Sequence, residues 1–190
     1  MRRQIKKEDS IILQSNWQYP THGSQIREIL LHEQRNLCAY TETYLAGRTD
    51  TKDIEHFDPT LKNTEDDNYQ NWFLVKHQWN SEKASKWTRF QPILHPTADD
   101  FEERVVYKDG IYIHREHDKE AKNLIDLLQL NDKELVDERR GYIKARKKSI
   151  TAKGQLAEVY FQNLLKDEPN RVYFIRAIEE EFGISLYVEA

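Results

Sequence analysis

The chain has 190 residues with a formal net charge of −4, and 38% of it is hydrophobic, including four Trp, ten Tyr and seven Phe. That aromatic content supports a buried core despite a mean hydropathy of −0.89, which excludes a disordered chain, and the mild acidity argues against a protein that coats nucleic acid through Lys and Arg. The single cysteine, Cys38, excludes an internal disulfide and a four-cysteine zinc site within one chain.

No apolar run reaches the roughly 20 residues of a membrane helix, and residues 1–7 are not followed by a signal-peptide core. A cytoplasmic protein with no membrane contact, of one or two domains, is expected. In chain order, the first helix is predicted over residues 24–35, where Ile26, Ile29 and Leu30 recur at helical spacing behind Ser24 as N-cap. Residues 38–45 alternate loosely, 47–50 carry turn chemistry and 54–57 read as a strand, which suggests a short hairpin between them. A polar loop over 58–70 leads to a buried strand at 71–75 and then to helix-forming composition at 80–86.

Asp109 and Gly110 stand between two β-branched and aromatic runs, the clearest hairpin signal in the chain. Helices are predicted at 118–129 and, behind a capping box at Asn131 and Glu134, at 132–165 with a break near Gly141 or Gly154. A shorter helix after Pro169 ends at Gly183, ahead of a last strand at 184–188. Repeats and low-complexity tracts are absent. From Arg139 to Lys153 seven basic residues occur with no acidic one: Arg139, Arg140, Lys144, Arg146, Lys147, Lys148 and Lys153. Such a run suits a phosphate backbone or a partner, and equally a solvated helix face.

The chemistry centres on Glu55 and His56, with Asn71 and Asn80 following. Phosphodiester hydrolysis needs a base to activate water and a divalent ion to take up charge. An imidazole near its usual pKa of about 6.5 makes His56 the candidate base, while Glu55 and Asn80 supply oxygens suited to Mg²⁺ (or Mn²⁺). Neighbouring strand residues point to opposite faces, so Glu55 and His56 can flank one phosphate only if the strand ends or bends there. Asn71 reads as a brace for the long loop. Cys38 reads as a small buried hydrophobe, and His22, His32, His95, His114 and His117 as structural. Trp87, beside Lys86 and Arg89, is either core or a stacking platform for a base.

Cys38-Ala39-Tyr40, Ile54-Glu55-His56-Phe57-Asp58-Pro59, Asn71-Trp72-Phe73-Leu74 and the segment from His77 to Lys83 resemble an HNH endonuclease of the ββα-metal class. More narrowly, with Phe90-Gln91-Pro92-Ile93-Leu94, Asp100-Phe101-Glu102-Glu103 and Leu128-Gln129-Leu130-Asn131-Asp132, the chain resembles the PtuB-like HNH subunits of Septu-type anti-phage systems, also found beside some retrons. The resemblance covers residues from about 26 to about 142.

It implies an α+β fold with a ββα-metal core and N-terminal helix in residues 1–90, and a hairpin with helical, partner-binding extensions in 91–190. It also implies His56 as base, Asn71 as the middle asparagine, Glu55 and Asn80 as metal ligands, and His77 as a further ligand or phosphate contact. Lys83 and Lys86, with the basic run, are the expected contacts to nucleic acid or partner. The implied activity is DNA cleavage in phage defence with a partner ABC-type ATPase (PtuA-like), in a hetero-oligomer. RNA, plausibly tRNA, as substrate and a catalytically degenerate scaffold or sensor remain open alternatives.

Four departures stand out. Thr41, Lys76 and Trp79 replace expected cysteines, so no structural zinc is expected and Tyr40, Trp72 and Trp79 are expected to pack in its place. Asp58 stands where the family commonly has a basic residue.

Overall fold

The computed structural model describes residues 1–47 and 51–186. Its fold class is mixed α+β, with small antiparallel sheets among more extensive helix. The chain enters through the short helix α1 (Ile11–Gln14), capped by Ser10, and α2 (Gly23–Glu33). Nothing in local composition announces α1. Ile12 anchors it in the core, while Ile11 and Leu13 stay exposed. Helix α2 starts a residue before the predicted N-cap: His22 holds the cap position, without a side-chain cap bond, so Ser24 lies inside the helix.

The first sheet pairs β1 (Lys52–His56) with β2 (Trp72–Lys76), in antiparallel register from Lys52 opposite Lys76 to His56 opposite Trp72. The expected pairing of residues 38–45 with 54–57 is therefore corrected. Residues 37–44 fold back on themselves through a single bridge between Leu37 and Tyr44, and Ala39 N donates to Leu74 O at 3.1 Å, so this segment lies against β2 and not β1. Of the expected turn at 47–50, residues 48–50 lie outside the described residues. The other edge of β2 is covered. The Gln34 amide accepts from Leu74 N at 2.8 Å and donates to Leu74 O at 2.7 Å, so one side chain replaces a missing strand.

Helix α3 (His77–Ala84) follows β2 with no connecting loop and packs on both strands. It begins three residues earlier than composition suggests. A four-residue helix α4 (Phe101–Arg104) then leads into the hairpin β3 (Val105–Lys108) and β4 (Ile111–His114). Asp109 and Gly110 take φ of 45° and 86° at the turn, as the sequence predicts for a two-residue hairpin loop. A Cβ on Gly110 would lie 2.6 Å from Arg140 Cγ, so glycine is required there on two counts.

Helix α5 (Lys119–Leu127) is capped by Asp118 and α6 (Lys133–Lys153) by Asp132, whose carboxylate accepts from Glu134 N and Leu135 N. The expected cap at Asn131 is thus displaced by one residue. Asn131 instead bonds both N and O of Tyr112 at 2.7 Å, closing β4 as Gln34 closes β2. The long helix breaks at Gly154, with φ of 61°, and runs on through Gly141. After α7 (Ala157–Asp167), helix α8 (Ile175–Phe182) ends at Gly183. Residues 184–186 are not a strand, and 187–188 of the expected last strand lie outside the described residues.

Buried side chains from Met1 to Leu186 form one hydrophobic cluster, so residues 1–90 and 91–190 share a core. Tyr40 and Trp72 are central to it and Trp79 packs against its margin. Among the described residues no helix is long and apolar enough to cross a membrane.

Candidate active site

Period-two alternation puts Asp53 and Glu55 on one face of β1 and Ile54 and His56 on the other. The ladder continues past the strand, with Phe57 N donating to Asn71 O at 2.8 Å. The strand ends at His56, and its alternation turns the Glu55 and His56 side chains to opposite faces, so the expected convergence of the two on one point does not occur.

Helix α3 sends His77, Asn80 and Lys83, spaced three apart, toward β1. Asp53 Oδ2 accepts from Asn80 Nδ2 at 2.9 Å and lies 2.7 Å from His77 Nδ1. One turn deeper, Lys83 Nζ ion-pairs with Glu55 Oε1 and donates to the His56 carbonyl at 3.0 Å. The Tyr40 hydroxyl lies 3.5 Å from the same Glu55 oxygen. The ammonium also sits 4.9 Å from the Trp87 ring centre. Burial pushes the Glu55 carboxyl up and the Lys83 ammonium down, with the mutual attraction of the pair opposing both shifts. The Glu55 carboxylate is thus already committed, and the expected ligand set of Glu55, Asn80 and His77 is split between two clusters.

His56 faces the other way. It is 5% exposed, neither ring nitrogen has a hydrogen-bond partner among the described residues, and the Tyr19 ring meets it edge-on at 4.9 Å. The exposed strand end expected from sequence is in fact covered. Asp67 Oδ2 lies 3.5 Å from His56 Nδ1 and is the nearest charge. Burial lowers the imidazole pKa, with Asp67 opposing, so the ring is neutral at pH 7.

Asn71 braces the loop as its sequence position suggests. Its Oδ1 accepts from Asp58 N at 2.7 Å, and its Nδ2 donates to Asp58 O and to Asp67 Oδ1, each at 3.1 Å. Asp67 also accepts from Trp72 Nε1 at 2.8 Å. Asn71 therefore reaches the imidazole only through Asp67. Three contributors escaped the sequence reading. Asp53 was findable, standing two residues before Glu55 on the same strand. Asp67, in a run of acidic loop residues, and Tyr19, far away in the chain, carry no local signal. No protein-family model matches the chain, and no curated protein is similar enough to it to carry an assignment.

The basic run divides by environment. Arg139 is buried: its guanidinium donates to the Gly110 and Leu130 carbonyls and lies 4.7 Å from the Tyr112 ring centre. Arg146, also buried, donates to Tyr160 Oη at 3.2 Å and Arg171 O at 2.9 Å. With the buried Lys83, these are structural cations and are removed from the expected contact surface. Arg140 donates to Asp109 O, and Lys147 pairs with Glu181 at 2.7 Å. Lys86, Lys144 and Lys148 are exposed and form no ion pair among the described residues. Trp87 is buried and meets Phe57 edge-on at 5.3 Å, so it does not stack on a base.

Beside the site, His95 packs edge-on against Phe57 at 4.8 Å, and burial holds its pKa down to about 4. The folded chain thus binds fewer protons at His95 and His56 than the unfolded chain does. Stability contributed by their neutral forms is present above about pH 6.5 and is lost as pH falls toward about 4. Thermal melts from pH 7.5 to 4.5 should show a falling Tm, with a flatter slope in His95→Gln. Parallel slopes would remove His95 from the effect.

Proposed function

We propose that the chain is an HNH-type endonuclease hydrolysing DNA phosphodiesters, an effector of phage defence that acts with a partner ATPase. The observation that supports this reading is the strand, long braced loop, strand and helix from β1 to α3, in which His56 closes the first strand, Asn71 ties the loop and Asn80 lies in the first turn of the helix. This chain order is the one that the resemblance read from the sequence leads one to expect.

In this reading Asp67 faces His56 Nδ1 and favours the tautomer protonated there, leaving Nε2 as the base that accepts a proton from water. Burial keeps the ring neutral, and Nε2 acts as base once water is admitted past the cover of Tyr19. Lys83 fixes the His56 carbonyl, and Asn71 fixes the loop that carries Asp67. A divalent cation, when bound, would take up charge on the phosphate.

The committed Glu55 carboxylate and the cover over His56 favour a second reading, a degenerate HNH scaffold. Purified protein, alone and with the product of its neighbouring gene, should nick plasmid DNA in Mg²⁺ or Mn²⁺ and stop in EDTA. Cleavage of total RNA instead would move the substrate class. No cleavage of either nucleic acid under any of these conditions would leave the scaffold.

If the outer face of α6 meets nucleic acid, Lys144→Glu with Lys148→Glu should weaken DNA binding and reduce the slope of log K against log salt by about one to two, since each lost phosphate contact removes counterion release. If the face meets the partner, DNA binding is unchanged and co-purification is lost. Neither change would return α6 to a solvated face.

A further inference from the structure

We infer that the cation of this site is held by Asp53, His77 and Asn80, and that Glu55 is a positioning residue and not a ligand. The proposal deepens the nuclease reading and rests on it for its purpose, though its test does not require cleavage.

Three donors from β1 and the first turn of α3 meet at one point on the rim. His77 Nδ1 and the Asn80 amide both contact a single oxygen, Asp53 Oδ2, at 2.7 and 2.9 Å. Cis ligands of an octahedral ion with bonds of about 2.1 Å stand about 3.0 Å apart. Side chains arranged to share such an ion therefore already have the spacing they need. A half-turn of the Asn80 amide exchanges its nitrogen for its oxygen and gives a carboxylate oxygen, an amide oxygen and an imidazole nitrogen. With an imidazole nitrogen beside two oxygens, that mixed set suits Mn²⁺ better than Mg²⁺, which prefers oxygen alone.

Exposure supports the same choice. The side chains of His77 and Asp53 are 61% and 30% exposed, which leaves the outward positions of a bound ion open to water or phosphate. Glu55 offers the opposite environment. Its side chain is 4% exposed, and Lys83 Nζ occupies the carboxylate that an ion would need. Recruiting Glu55 would mean expelling a buried ammonium from its pair and leaving it uncompensated, a larger penalty than turning the half-buried Asn80 amide. The Glu55 and Lys83 pair instead acts through the His56 carbonyl, 3.0 Å from Nζ, and fixes the backbone of the base.

The test is Mn²⁺ binding to the full chain, read as loss of the free-ion electron paramagnetic resonance signal. Wild type should bind one Mn²⁺, Asp53→Asn and His77→Ala should each weaken Kd at least tenfold, and Glu55→Gln should leave Kd within about twofold. Circular dichroism melts establish that each variant is folded, and Glu55→Asp replaces Glu55→Gln if the latter does not fold. Loss of binding in the folded Glu55 variant, undiminished binding in Asp53→Asn, or no binding by wild type overturns the assignment. Mn²⁺ binding at these residues without cleavage of any nucleic acid overturns the nuclease reading and leaves the cation site standing. Cleavage retained in Asp53→Asn does the reverse.

Discussion

His56→Ala should lower the rate of DNA nicking by about 10²–10⁴-fold, the usual contribution of a positioned general base. The fold should survive the change for a specific reason. A buried polar ring without hydrogen bonds costs roughly 1–3 kcal/mol to hold. Its removal relieves that cost while opening a cavity of comparable penalty beside Tyr19 and Trp72. Nicking is measured in Mg²⁺ with the partner present, and Tm by circular dichroism. A variant that nicks at the wild-type rate removes His56 from the chemistry, whereas one that loses activity only because it is unfolded at the assay temperature points to a structural ring.

The largest stability effect should come from Lys83→Ala. The Lys83 and Glu55 side chains are 2% and 4% exposed, so deleting the cation strands a carboxylate in the core and releases the His56 carbonyl. Breaking a buried pair from one side costs about 3–5 kcal/mol. Replacing both partners, as in Glu55→Leu with Lys83→Met, should recover much of that loss, because the charges no longer need compensation. Urea unfolding of the single and double variants separates the two effects. A single-variant loss below about 1 kcal/mol would mean that water reaches Glu55.

The contrast between legible and hidden features follows the range of the forces involved. The turn at Asp109 and Gly110 and the helix break at Gly154 were readable because backbone conformation at those points is set by one or two residues. The partner of β1 was not, since pairing is decided by which apolar run is most completely buried, and β2 lies sixteen residues farther along the chain from His56 to Trp72. The site shows the same division. His56, Asn71 and Asn80 stood out by type and order, and the geometry gives Asn71 its bracing contacts. Alternation along the strand should have directed attention to Asp53 as well as Glu55. The cover supplied by Tyr19 and the burial of Arg139 and Arg146 depend on segments that meet only after the core has formed.

Glu42 carries a consequence for the order in which the molecule assembles. Its carboxylate is buried and accepts from Tyr112 Oη and from Arg176 N, while its carbonyl accepts from Phe174 N. Until the hairpin and α8 are in place, a chain holding only residues 1–90 lacks these donors, keeps only the Met1 ammonium 3.5 Å from Glu42, and leaves its apolar faces uncovered. The strands and helix that carry His56 therefore cannot commit to their final geometry early in synthesis. Loop closure over more than 130 residues, from Glu42 to Arg176, must come first. A nascent chain is in this way denied a finished site until residue 176 has been made, and a fragment ending near residue 90 should aggregate before it could act.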